Sequence, residues 1–221
     1  MGASSRSRRE PVADRMYNVL LQQFLDGRRI AGEPLNIGAL ARELEVSQTP
    51  LREALARLEH TGLVRREALK GYRVADALSD REVAKLMEAR AVIEPELTMQ
   101  AGLRTTPEFL DELRATVDEL DATVPRADDD SDGFRRYWTS DDAFHKLIAA
   151  QSDNPFLEHA LQSLDGQMQR FRLFTKRGRT GAGNAAREHR LILDALQARD
   201  AEGAAALMRG HIQGAKRRVL A

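Results

Sequence analysis

Four residues in the later part of the chain are of the types that bind a metal ion: Asp141, His145, His189 and His211. Asp141 and His145 are four residues apart, so a helix places them on one face. His189 and His211 fall on two later helices, which a short turn at 198–202 would pack antiparallel, with both imidazoles directed into one bundle core. One carboxylate and three imidazoles suit Zn, Ni, Mn or Fe, and we expect Zn in the purified protein.

A site of this kind would attract an anion. One carboxylate against a divalent ion leaves a net charge of about +1 in a buried place, which favours a small carboxylate ligand that completes the coordination shell. Arg90, on an otherwise apolar helix face, is a candidate to hold the other end of that effector. The spacing leaves an alternative open, since scattered histidines without an HExxH-type cluster are usually surface or packing residues.

An alternative hypothesis is that the protein is an enzyme that uses the same four ligands for metal-assisted hydrolysis. Such chemistry needs a general base near the metal. The nearest candidate, Asp142, is turned about 100° around the helix from Asp141. The sequence contains no serine elbow, phosphate loop or dinucleotide fingerprint, so we expect no enzymatic activity.

A second group of residues has the chemistry needed to read DNA. Ser47, Gln48 and Thr49 follow a tight turn, and Arg52 lies one helical turn beyond Gln48 on the same face. The second helix of a helix-turn-helix presents its first turn to base edges in the major groove, where hydroxyl, amide and guanidinium groups form hydrogen bonds. Lys70, beside a predicted hairpin turn, is a candidate phosphate contact.

The charge distribution is a weak pointer to an anionic partner for the N-terminal part. Residues 1–75 contain 13 Lys and Arg against 9 Asp and Glu, and the rest of the chain has the opposite excess. The alternative interpretation makes Arg52 a surface residue balanced by Glu45 or Glu53, and leaves Lys70 merely solvated.

The elements that must position these residues can be predicted from hydrophobic spacing. The first part is predicted to contain helices at 11–27, 36–44 and 47–62, then a hairpin at 63–74. Asn36 and Ser47 are candidate caps for the second and third helices, and residues 30–35 read as a connector. The order is that of a winged helix-turn-helix over residues 11–76, preceded by a disordered basic tail at 1–10.

After this domain the pattern is wholly helical. Ser79 and Glu82 have the spacing of a capping box, while Asn154, Asn184 and Asp200 are candidate caps for later helices. The helix that begins at Asn154 is predicted to continue past Phe171. We therefore predict a mainly α protein, with an all-α bundle of about six helices as its C-terminal domain.

Length and composition agree with two ordinary globular domains. The chain has 221 residues, 31% of them charged and 5% aromatic, and it has no cysteine. The absence of cysteine excludes disulfides, thiolate metal sites and cysteine nucleophiles. No apolar run approaches the ~20 residues that span a bilayer, and the N-terminus does not look like a secretory signal. We expect a cytoplasmic protein with no membrane partner.

The DNA-reading segment resembles the GntR superfamily of bacterial regulators. The resemblance rests on 46–55 (VSQTPLREAL), together with Leu35, 40–41 (LA), 58–59 (LE), 62–64 (GLV), Gly71 and Val74. It implies that Ser47, Gln48, Thr49 and Arg52 contact a DNA operator and that Gly71, at the wing tip, enters the minor groove.

This sequence departs from the GntR pattern at two positions. The family usually has Arg where this chain has Gln48, and Arg favours guanine edges whereas Gln favours adenine. Some relatives also have an Arg on the second helix where this chain has Gly38. The usual operator half-site is therefore not expected.

Residues 79–218 resemble the FCD effector domain of the FadR-like GntR branch. The supporting segments are 88–94, 141–145 (DDAFH), 152–155 (SDNP), 188–196 and 200–212. Metal-binding members of this branch use one Asp and three His as ligands, and the resemblance implies that Asp141, His145, His189 and His211 are their counterparts here. His159 matches no ligand. It implies that Arg90 lies near an organic acid effector. It further implies a homodimer that binds a two-fold operator and leaves it when the effector binds. A domain that only dimerises, with a purely structural metal, stays an alternative.

Overall fold

The computed structural model describes residues 11–68, 71–123, 131–174 and 181–221. The expected tail at 1–10 and the candidate phosphate contact Lys70 lie outside the described residues. The chain divides into two compact units, residues 1–76 and 77–221, and each is described by itself. No helix in the part of the chain that the structure describes is long and apolar enough to cross a membrane.

The first unit is a helix-turn-helix followed by a small sheet. Its elements are α1 (Val12–Leu25), β1 (Pro34–Leu35), α2 (Ile37–Glu43), α3 (Gln48–His60), β2 (Val64–Glu67) and β3 (Gly71–Val74). α1 packs on α3, and leucines of both helices are completely buried, among them Leu20, Leu51 and Leu55. This packing holds the buried face of α3 against α1 and leaves the opposite face exposed to solvent, as a DNA-reading helix requires.

The sheet has three strands rather than the two of the predicted hairpin. β1 lies in the segment expected to be a connector and pairs antiparallel with β3, so the strand order is β1-β3-β2. Leu35 is buried, and the N–H of Val74 donates to the carbonyl of Glu33 at 2.8 Å. A strand of two residues is too short to show the alternation by which strands are recognised in a sequence.

Every secondary-structure element in the described residues of the second unit is a helix. They are α4 (Asp80–Gly102), α5 (Pro107–Thr123), α6 (Ser131–Gln151), α7 (Pro155–Gln162), α8 (Asp165–Phe174), α9 (Ala182–Gln197) and α10 (Ala201–Leu220). The segment predicted as one helix from Asn154 past Phe171 is broken at 163–164 into α7 and α8. Its apolar residues keep helical spacing across the break, so periodicity alone did not reveal it.

Most of the predicted caps are present. Ser79 and Glu82 form a capping box, and Asn36, Asn154 and Asp200 each accept a backbone N–H in the first turn of their helix. Two expectations were wrong. α9 begins at Ala182 after Gly181, ahead of Asn184, and Ser47 stands at the start of α3 without a capping hydrogen bond from its side chain.

Pro95 lies inside α4 and leaves a gap in that helix's hydrogen bonds. Proline has no N–H, so the carbonyl of Ala91, four residues earlier, loses its helical donor. Arg209 on α10 donates to that carbonyl at 2.9 Å. This hydrogen bond joins α10 to α4, against which it packs, at the turn of α4 that carries Arg90 and Glu94.

Candidate functional site

The second unit brings Asp141, His145, His189 and His211 together. Each offers one ligand atom, and these atoms all lie within 4.8 Å of one another. α6 supplies the first two residues, four apart on one face, while α9 and α10 each supply one histidine from adjacent antiparallel helices. All four side chains are buried, and His189 is completely inaccessible.

The imidazoles of His189 and His211 meet through their Nε2 atoms, which are 3.3 Å apart. Nε2 of His189 is also 3.6 Å from Oδ1 of Asp141, and its ring stacks on Phe144 with centroids 3.9 Å apart. Nδ1 of His211 makes a 2.8 Å hydrogen bond to Glu188, which leaves Nε2 directed into the cluster. In metal sites, a carboxylate that accepts a hydrogen bond from the ring nitrogen not bound to the metal fixes the orientation of the histidine ring.

His145 provides the test of whether these residues fit a metal. Both of its ring nitrogens are buried, and Nε2 makes no hydrogen bond with any residue that the structure describes. Nδ1 is in polar contact with Glu94, 2.5 Å from its Oε2. Buried polar atoms nearly always have a partner, so an unpartnered Nε2 on a residue grouped with three other ligand-type side chains fits a bound cation. The donor set also fits, since nitrogen and carboxylate ligands suit Zn and its neighbours.

For Asp141, His189 and His211, the surroundings favour the protonation states that metal ligands need. Burial by itself would raise the pKa of Asp141, but the charge of Arg172, with smaller contributions from the histidines when they are protonated, lowers it far below its usual range. Burial lowers the pKa of His189 well below its ordinary value, and it lowers the pKa of His211 despite the hydrogen bond to Glu188. The carboxylate is therefore ionised and these two imidazoles are neutral at pH 7.

Two buried arginines border the cluster. Arg90, the predicted effector contact, donates through Nε to Glu94, and its Nη1 lies 3.6 Å from Sδ of Met168. Arg172 donates through Nη2 to Oδ2 of Asp141, while its buried Nη1 has no hydrogen-bond partner among the described residues.

Sequence reasoning missed Arg172, although a signal was present. Arg172 follows Leu164 and Met168 at helical spacing. It is therefore a cation on an apolar face, as Arg90 is.

Two small cavities lie beside the cluster, with volumes of about 50 and about 30 Å³. Arg90, Asp141, Met168 and Arg172 line both of them. The larger is also bordered by His211 and by the buried Tyr137, and the smaller by His145. Each has room for water. Of the residues that line both cavities, Arg90 and Arg172 carry guanidinium groups able to bind a carboxylate.

The predicted DNA-reading residues lie together at the start of α3. Ser47, Gln48, Thr49 and Arg52 are all exposed. Nη2 of Arg52 lies 3.4 Å from Oε1 of Gln48, and no carboxylate in the described part of the chain pairs with Arg52. The alternative that Glu45 or Glu53 balances Arg52 is therefore wrong for the described structure.

At the wing, Gly71 begins β3 with a φ of +92°, a conformation that other residues adopt only with strain. The wing glycine predicted from the sequence therefore occupies a position that requires glycine.

Comparison with known proteins decides the family. Residues 12–74 match the bacterial regulatory proteins of the gntR family, and residues 85–214 match the FCD domain, which alone covers more than half of the chain. The chain belongs to the GntR family and carries an FCD domain. This GntR protein is a DNA-binding transcriptional regulator.

Its relatives include named regulators and solved structures. It is 28% identical over 198 residues to the HTH-type transcriptional regulator BphR of Paraburkholderia xenovorans, covering 89% of this chain and 80% of that protein. It is 24% identical over 204 residues to the HTH-type transcriptional repressor RspR of Escherichia coli, covering 92% and 87%. Its fold is similar to that of E. coli McbR/YncC, with a TM-score of 0.70, 22% identity and coverage of 93% and 95%.

Proposed function

We propose that this GntR protein is a homodimeric repressor whose operator affinity is controlled by a small organic acid bound at a metal site in the FCD domain. The observation that carries the proposal is the buried cluster of Asp141, His145, His189 and His211, with an orphaned imidazole nitrogen at its centre and two buried arginines at its border. The relative named as a repressor supports the direction of control.

Asp141, His145, His189 and His211 would hold one divalent ion: Zn, Ni, Mn or Fe. When bound, the ion supplies a fixed positive charge and a Lewis-acid position for a ligand carboxylate. The surrounding residues orient the ligands. Glu188 fixes the ring of His211, and Arg172 holds one oxygen of Asp141 so that the other faces the imidazoles.

The balance of buried charge defines the effector class. Arg90 and Arg172 are matched by Glu94 and Asp141, and the pKa values of His189 and His211 keep those imidazoles neutral. A divalent ion therefore adds about two uncompensated positive charges, and burial of such charge is costly unless an anion accompanies it. A small acid with a carboxylate and a second anionic or hydroxyl group satisfies this need. The free Nη1 of Arg172, together with Arg90, can hold its far end.

Metal-assisted hydrolysis has less support. The nearest candidate base, Asp142, is paired with Lys146 at 2.7 Å, and Lys146 is also 3.1 Å from Asp165. A carboxylate held in this way is a poor general base for a metal-bound water.

A purely structural metal is the remaining alternative. It predicts that the metal-free protein unfolds or loses its dimer, whereas the sensor proposal predicts a folded protein that has lost its acid affinity.

Control of DNA binding requires that the acid prefers one of two states of the dimer. A coupling free energy of about 1–3 kcal/mol is typical and changes operator affinity about 5- to 150-fold. Ser47, Gln48, Thr49 and Arg52 would read base edges, while Lys70 and Gly71 would contact DNA at the wing. Two such heads on a homodimer require an operator with two-fold symmetry.

The test begins with selection of a duplex by the full-length protein from a randomised DNA pool. Fluorescence anisotropy then measures affinity for that duplex with and without each member of a panel of small carboxylates. We expect one acid to weaken binding at least fivefold, and Arg52→Ala to abolish selective binding. Arg114→Ala removes the same charge from a solvent-exposed position on α5 and serves as the control. Equal affinity of Arg52→Ala for the selected duplex would refute DNA reading by α3.

A further inference from the structure

Arg42, in the last turn of α2, is an exposed cation whose guanidinium makes no ion pair or hydrogen bond with any residue that the structure describes. Most arginines described in the first unit are neutralised instead. Those held in ion pairs with Asp or Glu are Arg28, Arg29, Arg57, Arg65 and Arg73. The adjacent Glu43 is engaged by Arg29 and by Gln23. Arg42 therefore keeps its charge and all of its donors available to a partner.

The side chain of Arg42 extends back along α2 over Gly38. A Cβ atom built on Gly38 would lie 4.0 Å from Nη1 of Arg42 and 4.0 Å from Nε2 of Gln48. The same atom would lie 3.3 Å from Oδ1 of Asn36, which caps α2. The absence of a side chain at Gly38 thus lets the guanidinium of Arg42 and the amide of Gln48 both approach the same point on α2.

We infer that Arg42 is a fifth side chain of the reading surface formed by Ser47, Gln48, Thr49 and Arg52, and that it contacts the base pair next to the one read by Gln48. Nη1 of Arg42 and Nε2 of Gln48 each lie 4.0 Å from the Cβ position of Gly38, so these two atoms are at most 8.0 Å apart. Stacked base pairs are about 3.4 Å apart along the duplex, so neighbouring pairs fall within reach of both groups. A guanidinium fits the O6 and N7 acceptors of guanine, while the Gln48 amide fits the N6 and N7 groups of adenine. This inference rests on the proposed reading of DNA by α3.

The experiment compares full-length wild type with Arg42→Ala, Arg42→Lys and Arg52→Ala. Each protein is titrated against the duplex that wild type selects from a random pool, against variants of that duplex changed at one base pair, and against a scrambled duplex. Arg28→Ala is the matched control, since it removes an exposed arginine of the same unit that is paired with Asp26 at 3.3 Å. Thermal unfolding of every variant confirms that the exposed substitutions leave the fold intact.

We expect Arg42→Ala to bind the selected duplex about tenfold or more weakly, to lose its preference at a single base pair and to bind the scrambled duplex almost as wild type does. Arg42→Lys keeps the charge but lacks the two-pronged donor, so it should lose the same preference. An equal loss on selected and scrambled duplexes would mean a phosphate contact and would overturn the base-reading assignment, as would unchanged binding. If Arg52→Ala also binds normally, the failure lies with the proposed DNA reading by α3, whereas a defect confined to Arg52→Ala rejects only the role of Arg42.

Discussion

The guanidinium of Arg172 contacts Oδ2 of Asp141, while Nε2 of His189 lies 3.6 Å from the other oxygen of the same carboxylate. Both partners of the ion pair are buried. Asp141 is thus shared between a cation contributed by α8 and the imidazoles contributed by α6, α9 and α10. This sharing connects the stability of the fold to the occupancy of the candidate metal site.

Replacement of Arg172 by Met should destabilise the protein when metal is removed by a chelator. Loss of one partner of a buried ion pair costs about 3–5 kcal/mol, because the other charge stays buried without compensation. That corresponds to a fall in melting temperature of roughly 10 °C for a protein of this size. Added Zn²⁺ should raise the melting temperature of Arg172→Met more than that of wild type, because the ion compensates Asp141.

Arg190→Met is the control for that measurement. Arg190 is likewise paired with carboxylates, those of Asp118 and Asp121, but this network is exposed. Exposed ion pairs contribute about 0–1 kcal/mol, so its melting temperature should change little. Equal melting of the two variants in chelator would contradict a structural role for the Arg172–Asp141 pair.

Glu188→Gln should weaken metal affinity without removing a ligand. Glu188 accepts a hydrogen bond from Nδ1 of His211 and is held by Arg218 at 2.8 and 3.0 Å. Loss of a carboxylate that orients a ligating histidine typically costs 10- to 100-fold in metal affinity. Competition with a chromophoric chelator measures this change, with Glu202→Gln, at an exposed residue in the first turn of α10, as control. Wild-type affinity in Glu188→Gln would show that His211 is not held for a metal.

The close approach of α4 and α10 predicts opposite effects for two glycine substitutions. A Cβ on Gly102 would lie 2.7 Å from Cβ of Ala201, whereas a Cβ on Gly210 meets nothing within 4 Å in the described chain. Gly102→Ala should therefore lower the free energy of unfolding by about 1–3 kcal/mol through overpacking. Gly210→Ala should raise it by about 0.5–1 kcal/mol through helix propensity. Denaturant titration measures both, and stabilisation by Gly102→Ala would reject the tight contact.

The extent to which the sequence predicted this structure depends on the kind of signal. Helical spacing shows which residues share a face, and it correctly paired Asp141 with His145 and identified most caps. It does not show which faces meet, so Arg172 and Glu188 became visible as partners only when α8, α9 and α10 were packed together. β1 was missed because its two residues are stabilised by pairing with β3, a contact distant in sequence.

Gln48→Arg should change operator preference at one position in each half-site. Gln48 is exposed at the first position of α3, and an amide there favours adenine whereas a guanidinium favours guanine. Selection from a random duplex pool by wild type and by Gln48→Arg should give sites that differ by A to G at that position and agree elsewhere. Identical selected sites would show that Gln48 does not read a base.

The central claim, that a metal centre in the FCD domain holds an acid effector, is tested most directly by metal content and acid binding measured on the same samples. Wild type, His189→Ala and the control His159→Ala, an exposed histidine outside the cluster, are compared by elemental analysis and by calorimetry against a panel of small carboxylates. We predict about one divalent ion per chain and binding of one acid in wild type and His159→Ala, and neither in a folded His189→Ala. Acid binding by a metal-free wild type, or full metal content in His189→Ala, would contradict the claim.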